Sequence, residues 1–219
     1  MQALSPASIG GHISASQLRF GQLNRDWSGR SVYLIGGGPS LKGFNFESLR
    51  GKGIIVAIND AILHVPFADV GFSIDTVWMQ RRVEQLWAFK GEKVMAVPDN
   101  YGIGIRGVTY LHRIQAAGVS SDMSSLYTGE NSGCAALSMA IMRGASRIAL
   151  LGYDMKATGH FHKGYEWSFP WHFAHYSRWV KLFRPIDAHC KRHRIQVINC
   201  NPNSGLRLFP FGNPEDIAE

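Results

Sequence analysis

Six short apolar runs constrain this chain most: residues 32–35 (VYLI), 54–58 (IIVAI), 70–74 (VGFSI), 94–97 (VMAV), 148–151 (IALL) and 196–198 (QVI). They are rich in β-branched residues and too short for helices. Runs of this kind are expected in strands covered on both faces, as in a parallel sheet. Each stops at a turn-forming or polar residue: three glycines after 35, Asn59-Asp60 after 58, Asp75 after 74, Pro98-Asp99 after 97, Gly152-Tyr153-Asp154 after 151, and Asn199-Cys200-Asn201-Pro202 after 198. Any one such ending is ordinary turn chemistry. Together they would make a rim, because ligands of open α/β sheets sit outside the carboxyl ends of the strands.

Helical periodicity appears between these runs. Residues 132–143 (SGCAALSMAIMR) carry Ala136, Met139, Ala140 and Arg143 at helical spacing, and Gly144 is a suitable stop. A second helix is expected over 76–89, with Val77, Val83, Leu86 and Trp87. A third is expected over about 172–192, with Trp179, Val180, Phe183 and Ile186 as its apolar stripe. Pro185 must kink that helix or start a new one. The expected fold class is therefore α/β, a Rossmann-like, mostly parallel sheet flanked by helices. Residues 1–30 read as an N-terminal arm and 31–219 as a single nucleotide-binding domain. Residues 155–171 lack any period and mix His, Gly and aromatic side chains, which suggests a lid over the strand ends.

The formal net charge is +7, with 23 Lys+Arg against 16 Asp+Glu, which favours anionic ligands. Part of the excess is local, in Arg178, Lys181, Arg184, Lys191, Arg192 and Arg194, a pattern that a solvated helix face also produces. No run of 18 apolar residues exists, and the N-terminus lacks an apolar signal core, so no membrane span and a cytoplasmic location are expected. Cys134, Cys190 and Cys200 match no zinc spacing and read as reduced thiols.

Three motifs could carry chemistry. In the first, a strand runs into Gly36-Gly37-Gly38-Pro39-Ser40. Glycines let a backbone approach a phosphate closely, and successive amides can form an anion nest; a tight turn alone has the same composition. In the second, Thr128-Gly129-Glu130-Asn131-Ser132-Gly133 opens the best helix. Asn131 or Ser132 can cap it, and its first amides can hold a phosphate. The third is the set His160, His162, His172 and His175, side chains suited to proton transfer near neutral pH. No Cys or Glu completes a familiar metal pattern around them, so no metal ligands are expected.

GGGPSL near the start, IND at the next strand end, NSGCAALSMAIMRGASRIALLGYDM, a His-rich segment, a helix and INCNPNSGL follow one another in order. Over about residues 31–210 this order resembles the bacterial family 42 sialyltransferases. It also resembles a group of uncharacterised phage and bacterial proteins related to motility-associated and pterin pyrophosphokinase proteins. The resemblance implies that Gly36, Gly38, Pro39 and Ser40 line the ribose and phosphate of a nucleotide. It implies that Asn59 touches the nucleotide, that Asn131, Ser132 and Gly133 hold its other side, and that Asp154 sits at the next strand end; Gly37 within the glycine turn and Asp75 at the end of its own run complete the expected binding residues. It further implies a general-base histidine, matched best by His175 with His172 as the alternative, and a lid tyrosine steadying the leaving phosphate, matched by Tyr165. The stretch between lid and helix is shorter than in the sialyltransferases, and Tyr153 follows the phage-type group, so the likeness does not extend to the sugar or the acceptor.

The function so implied is a glycosyltransferase that takes a nucleotide-sugar donor and requires no cofactor. Its acceptor would be a glycan, a protein or modified DNA, and a homo-oligomer is compatible with the sequence. Two alternatives share the fold. One is a Mg-dependent pterin-type pyrophosphokinase, with Asp75, Asp99 or Asp154 holding the metal; the other is a non-catalytic nucleotide-binding phage accessory protein.

Overall fold

The computed structural model describes residues 12–14, 17–156, 159–163 and 169–218. In chain order the strands are β1 (His12–Ser14), β2 (Ser31–Ile35), β3 (Ile54–Ile58), β4 (Val70–Ser73), β5 (Glu92–Val97), β6 (Ile103–Ile105), β7 (Thr109–Ile114), β8 (Ser125–Tyr127), β9 (Arg147–Leu151) and β10 (Gln196–Asn199). The helices are α1 (Ala61–His64), α2 (Thr76–Arg81), α3 (Val83–Ala88), α4 (Ser132–Met142), α5 (Phe169–Leu182) and α6 (Arg184–His193).

Eight strands form one sheet in the order β10-β9-β2-β3-β4-β5-β7-β8, and every pairing in it is parallel. The fold is α/β and Rossmann-like. Alternation along the strands divides the core into two layers. Val32, Leu34, Val56, Ile58, Phe72 and Leu150 face α4 and α6, whereas Tyr33, Ile35, Ile55, Ala57 and Leu151 face the side of α1, α2 and α3. Both faces are covered, which explains why the runs read as continuous apolar stretches.

Helix α4 is apolar nearly all round: Cys134 through Met142 are all buried. Such a helix belongs inside a protein rather than on its surface. It carries the chain back from edge strand β8 across β4, β3 and β2, so that β9 pairs with the far side of β2. The helices expected over 76–89 and over 172–192 are each in fact two. Arg82 leaves helical geometry (φ −116, ψ 24) between α2 and α3, and Phe183 separates α5 from α6, with Pro185 in the first turn of the latter.

The described part of the N-terminal arm is docked. Leu23 and Trp27 are buried in the α4-side core, and the Arg143 guanidinium lies 4.1 Å from the Trp27 ring centroid while pairing with Asp26 and Glu92. Strand β1 pairs antiparallel with β6 in a separate two-stranded sheet.

Candidate functional site

Strand β2 is flanked by β3 on one side and β9 on the other, and the chain runs from β2 to β3 but from β9 to β10, in opposite directions along the sheet. This is the topological switch point, where the loops after neighbouring strands part and open a crevice. The two loops are the triple-glycine turn after β2 and Gly152-Tyr153-Asp154 after β9. They touch backbone to backbone: Gly36 N–H donates to Leu151 O at 2.8 Å and Gly38 N–H to Gly152 O at 2.9 Å. A Cβ on Gly38 would lie 2.5 Å from Gly152 O and 2.6 Å from Asp154 Cγ; one on Gly37 would lie 2.5 Å from His160 Nδ1. These glycines are therefore required by close approach within the protein itself. With the Gly36 and Gly38 amides committed to the end of β9 and the loop after it, the turn does not offer a nest of successive open amides at those positions.

Pro39 and Ser40 lie behind the turn, away from the cavity lining. The Ser40 amide donates to Asp154 Oδ2 at 2.8 Å and its hydroxyl to Asp154 Oδ1 at 2.5 Å, while Asn201 Nδ2 donates to the same Oδ1 at 2.8 Å. Asp154 thus ties together the loops after β2, β9 and β10, and it also lines the cavity.

The opposite rim is built from the ends of β3 and β4 and the start of α4. Asn59 adopts φ 53; its Oδ1 accepts from the Ser73 hydroxyl at 2.7 Å, and its Nδ2 lies 3.5 Å from Ser132 Oγ. Asp75 caps α2 by accepting from Trp78 N at 2.9 Å, and Asn131 caps α4 by accepting from Cys134 N at 3.0 Å. A Cβ on Gly133 would lie 2.8 Å from Tyr153 Cε1, and the Tyr153 hydroxyl donates to Gly133 O at 3.0 Å. Asn59, Glu130 and Met155 all have positive φ without being glycine, and all three line the cavity. Backbone held in this costly region concentrates at ligand sites.

These parts enclose a cavity of about 440 Å³, within the size range of small-ligand sites. Gly36, Gly37, Gly38, Asn59, Asp75, Asn131, Ser132, Gly133 and Asp154 all line it, as do Arg113 and Lys156. His160 and His162 supply a further wall, and Tyr176 and Trp179 come from α5. His175 does not line the cavity; its ring centroid lies 6.0 Å from that of Trp179. Tyr165 and the His172 side chain lie outside the described residues, as do 157–158 and 164–168 of the expected lid.

Sequence reasoning missed Asp60, Arg82, Arg113, Tyr176 and Trp179. Arg113 sits on β7, a strand without a clear apolar run, and its Nη1 donates to Ile74 O at 3.1 Å. Burial pushes the His162 imidazole down to about 4, aided by His160 and opposed by Asp60. Burial also raises Tyr176, with the Asp154 charge adding to it. The cavity mixes Arg113 and Lys156 with Asp75, Glu130 and Asp154, so the chain's positive excess lies elsewhere. Lys181, Arg184, Lys191, Arg192 and Arg194 are exposed on or just after α5 and α6, and Arg178 pairs with Glu130. Among the described residues no group of three or more His, Cys, Asp or Glu could hold a metal ion, and Asp99 pairs with His112 at 2.6 Å outside the cavity. Nor is any described helix long and apolar enough to cross a membrane.

No family model matches the chain, and no curated protein does. A solved structure does. The MAf glycosyltransferase from Magnetospirillum magneticum AMB-1 superposes on 90% of this chain with a TM-score of 0.60 and 12% sequence identity. The likeness is one of fold alone. The chain spans 36% of that neighbour's length.

Proposed function

We propose that the chain is a glycosyltransferase whose cavity holds a nucleotide-sugar donor. One observation carries this reading: the glycine turn, Asn59, the first turn of α4 and Asp154 converge on one cavity at the switch point of a parallel sheet. The fold shared with the MAf glycosyltransferase agrees with it.

The donor phosphates would lie against the start of α4, where the Ser132 and Gly133 amides and the helix dipole favour negative charge. Because His175 lies outside the donor cavity, the acceptor hydroxyl in this scheme would sit at the cavity's edge beside Trp179, where His175 would take its proton. The freed oxygen would attack the anomeric carbon as the bond from that carbon to the phosphate oxygen breaks. The α4 amides, Arg113 and Lys156 would stabilise the charge gained by the departing nucleotide. Transfer in this scheme needs no metal.

Thermal-shift measurements with CMP, UDP, GDP and ATP, with and without Mg²⁺, test it first, followed by mass spectrometry of donor turnover. A metal-independent shift by one nucleotide supports donor binding; a shift by ATP alone, dependent on Mg²⁺, would favour the pyrophosphokinase. His175→Ala should abolish transfer and retain donor affinity. Full transfer by that variant would move the base to another histidine.

A further inference from the structure

Asp60 follows Asn59 at the end of β3 and is completely buried, yet it does not line the cavity. Its Oδ1 accepts from Trp78 Nε1 at 2.6 Å and from Arg82 Nε at 2.8 Å; its Oδ2 accepts from Arg82 Nη2 at 2.8 Å. The same Oδ2 lies 3.8 Å from His162 Nδ1. Burial pushes the carboxyl up, but the bonds from Arg82 and Trp78 and the Arg82 charge outweigh it, so its pKa is held below the ordinary value. A buried ion pair is a weak source of net stability compared with apolar packing, so what this one contributes is fixed geometry.

The groups around Asp60 lead to three walls of the cavity. Asn59 is its chain neighbour. Trp78 and Arg82 hold α2, whose first turn brings Asp75, Thr76 and Val77 to the lining, and the chain leaves helical geometry where the Arg82 guanidinium turns in. His162 belongs to the segment 159–163, which lies against the glycine turn. In that segment Phe161 N–H donates to Gly37 O at 3.0 Å, and His160 Nδ1 lies 3.1 Å from the same oxygen. The His162 ring sits between those of His64 and His160, at 5.4 and 5.3 Å.

We propose that Asp60 is a positioning residue for the nucleotide site: its carboxylate, fixed by Arg82 and Trp78 and lying against the His162 ring, backs the 159–163 segment where it meets Gly37 and so sets the donor-binding shape of the cavity. This rests on the reading of the cavity as a donor site.

The test uses the full chain with Asp60→Asn and, separately, His162→Phe, which leaves the Asp60–Arg82–Trp78 contacts in place. Amide hydrogen exchange is read by NMR at Phe161 and across β2 and β9. Exchange at Phe161 should quicken by about tenfold or more in both variants while β2 and β9 amides keep their protection. In donor kinetics Asp60→Asn should raise KM by about tenfold and change kcat by less than about twofold. Unchanged exchange at Phe161 in both variants would overturn the proposal, as would a lowered kcat with unchanged KM. If Asp60→Asn does not fold, exchange in His162→Phe decides. If the unaltered protein binds no nucleotide, the functional reading fails by itself, while the exchange data still judge the role of Asp60.

Discussion

The carboxylate of Asp154 accepts both the backbone amide and the hydroxyl of Ser40, residues 114 positions apart in the chain. A charged acceptor makes these bonds stronger than neutral ones. Ser40→Ala should therefore cost about 1.5–3 kcal/mol in urea unfolding. Asp154→Ala should cost more, because it strips the acceptor from Ser40 and Asn201 at once. If the two variants lose equal stability, Asp154 is not the shared tie described above.

Gly38→Ala should destabilise by about 1–3 kcal/mol or more, since the added methyl meets the Gly152 carbonyl and the Asp154 carboxylate. Gly102→Ala is the control: nothing lies within 4 Å of its added Cβ, and its Tm should stay near that of the unaltered chain.

Asn131→Ala removes the cap that accepts from Cys134 N and should cost about 1 kcal/mol of stability. Because the same residue lines the cavity, nucleotide affinity should fall as well. Asn131→Ser should restore most of the stability; affinity lost in both variants would show that the asparagine side chain itself meets the ligand.

His162 gives a signed pH dependence. Its folded value is pushed down to about 4, below the usual 6.5, so the unfolded chain binds the proton first as pH falls. Stability is fully supported by this group above about pH 6.5 and declines between there and about pH 4, by on the order of 3 kcal/mol. Melting curves across that window should fall more steeply for the unaltered chain than for His162→Gln. Parallel curves would mean that the imidazole is not held neutral by its surroundings.

Much of the architecture is legible in the sequence because central strands of a parallel sheet are buried on both faces. The runs at 54–58 and 148–151 announce themselves for that reason. Strands β7 and β8 do not: Thr109–Ile114 carries His112 and Arg113, Ser125–Tyr127 is only three residues long, and both lie toward the sheet's edge. The rim residues Asn59, Asn131 and Asp154 could be found because strand ends converge by rule. Asp60 could not, since adjacency to Asn59 says nothing about a guanidinium 22 positions away turning in to meet it. The helix break at Arg82 is hidden for the same reason: its cause is tertiary, and periodicity over 76–89 carries no trace of it.

The path of α4 has a consequence for biosynthesis. Ser31 pairs with Arg147, 116 positions later, so one flank of β2 stays open until β9 has been made. Contacts so distant in sequence form slowly, and an unpaired strand exposes backbone and apolar surface meanwhile. A nascent chain released as far as β8 would carry the Gly-rich turn and Asn59 with neither α4 nor Asp154 in place. The cavity would then close only once α4, β9 and the loop after β9 have been made, and the ligand proposed for it would reward that late closure rather than guide early collapse.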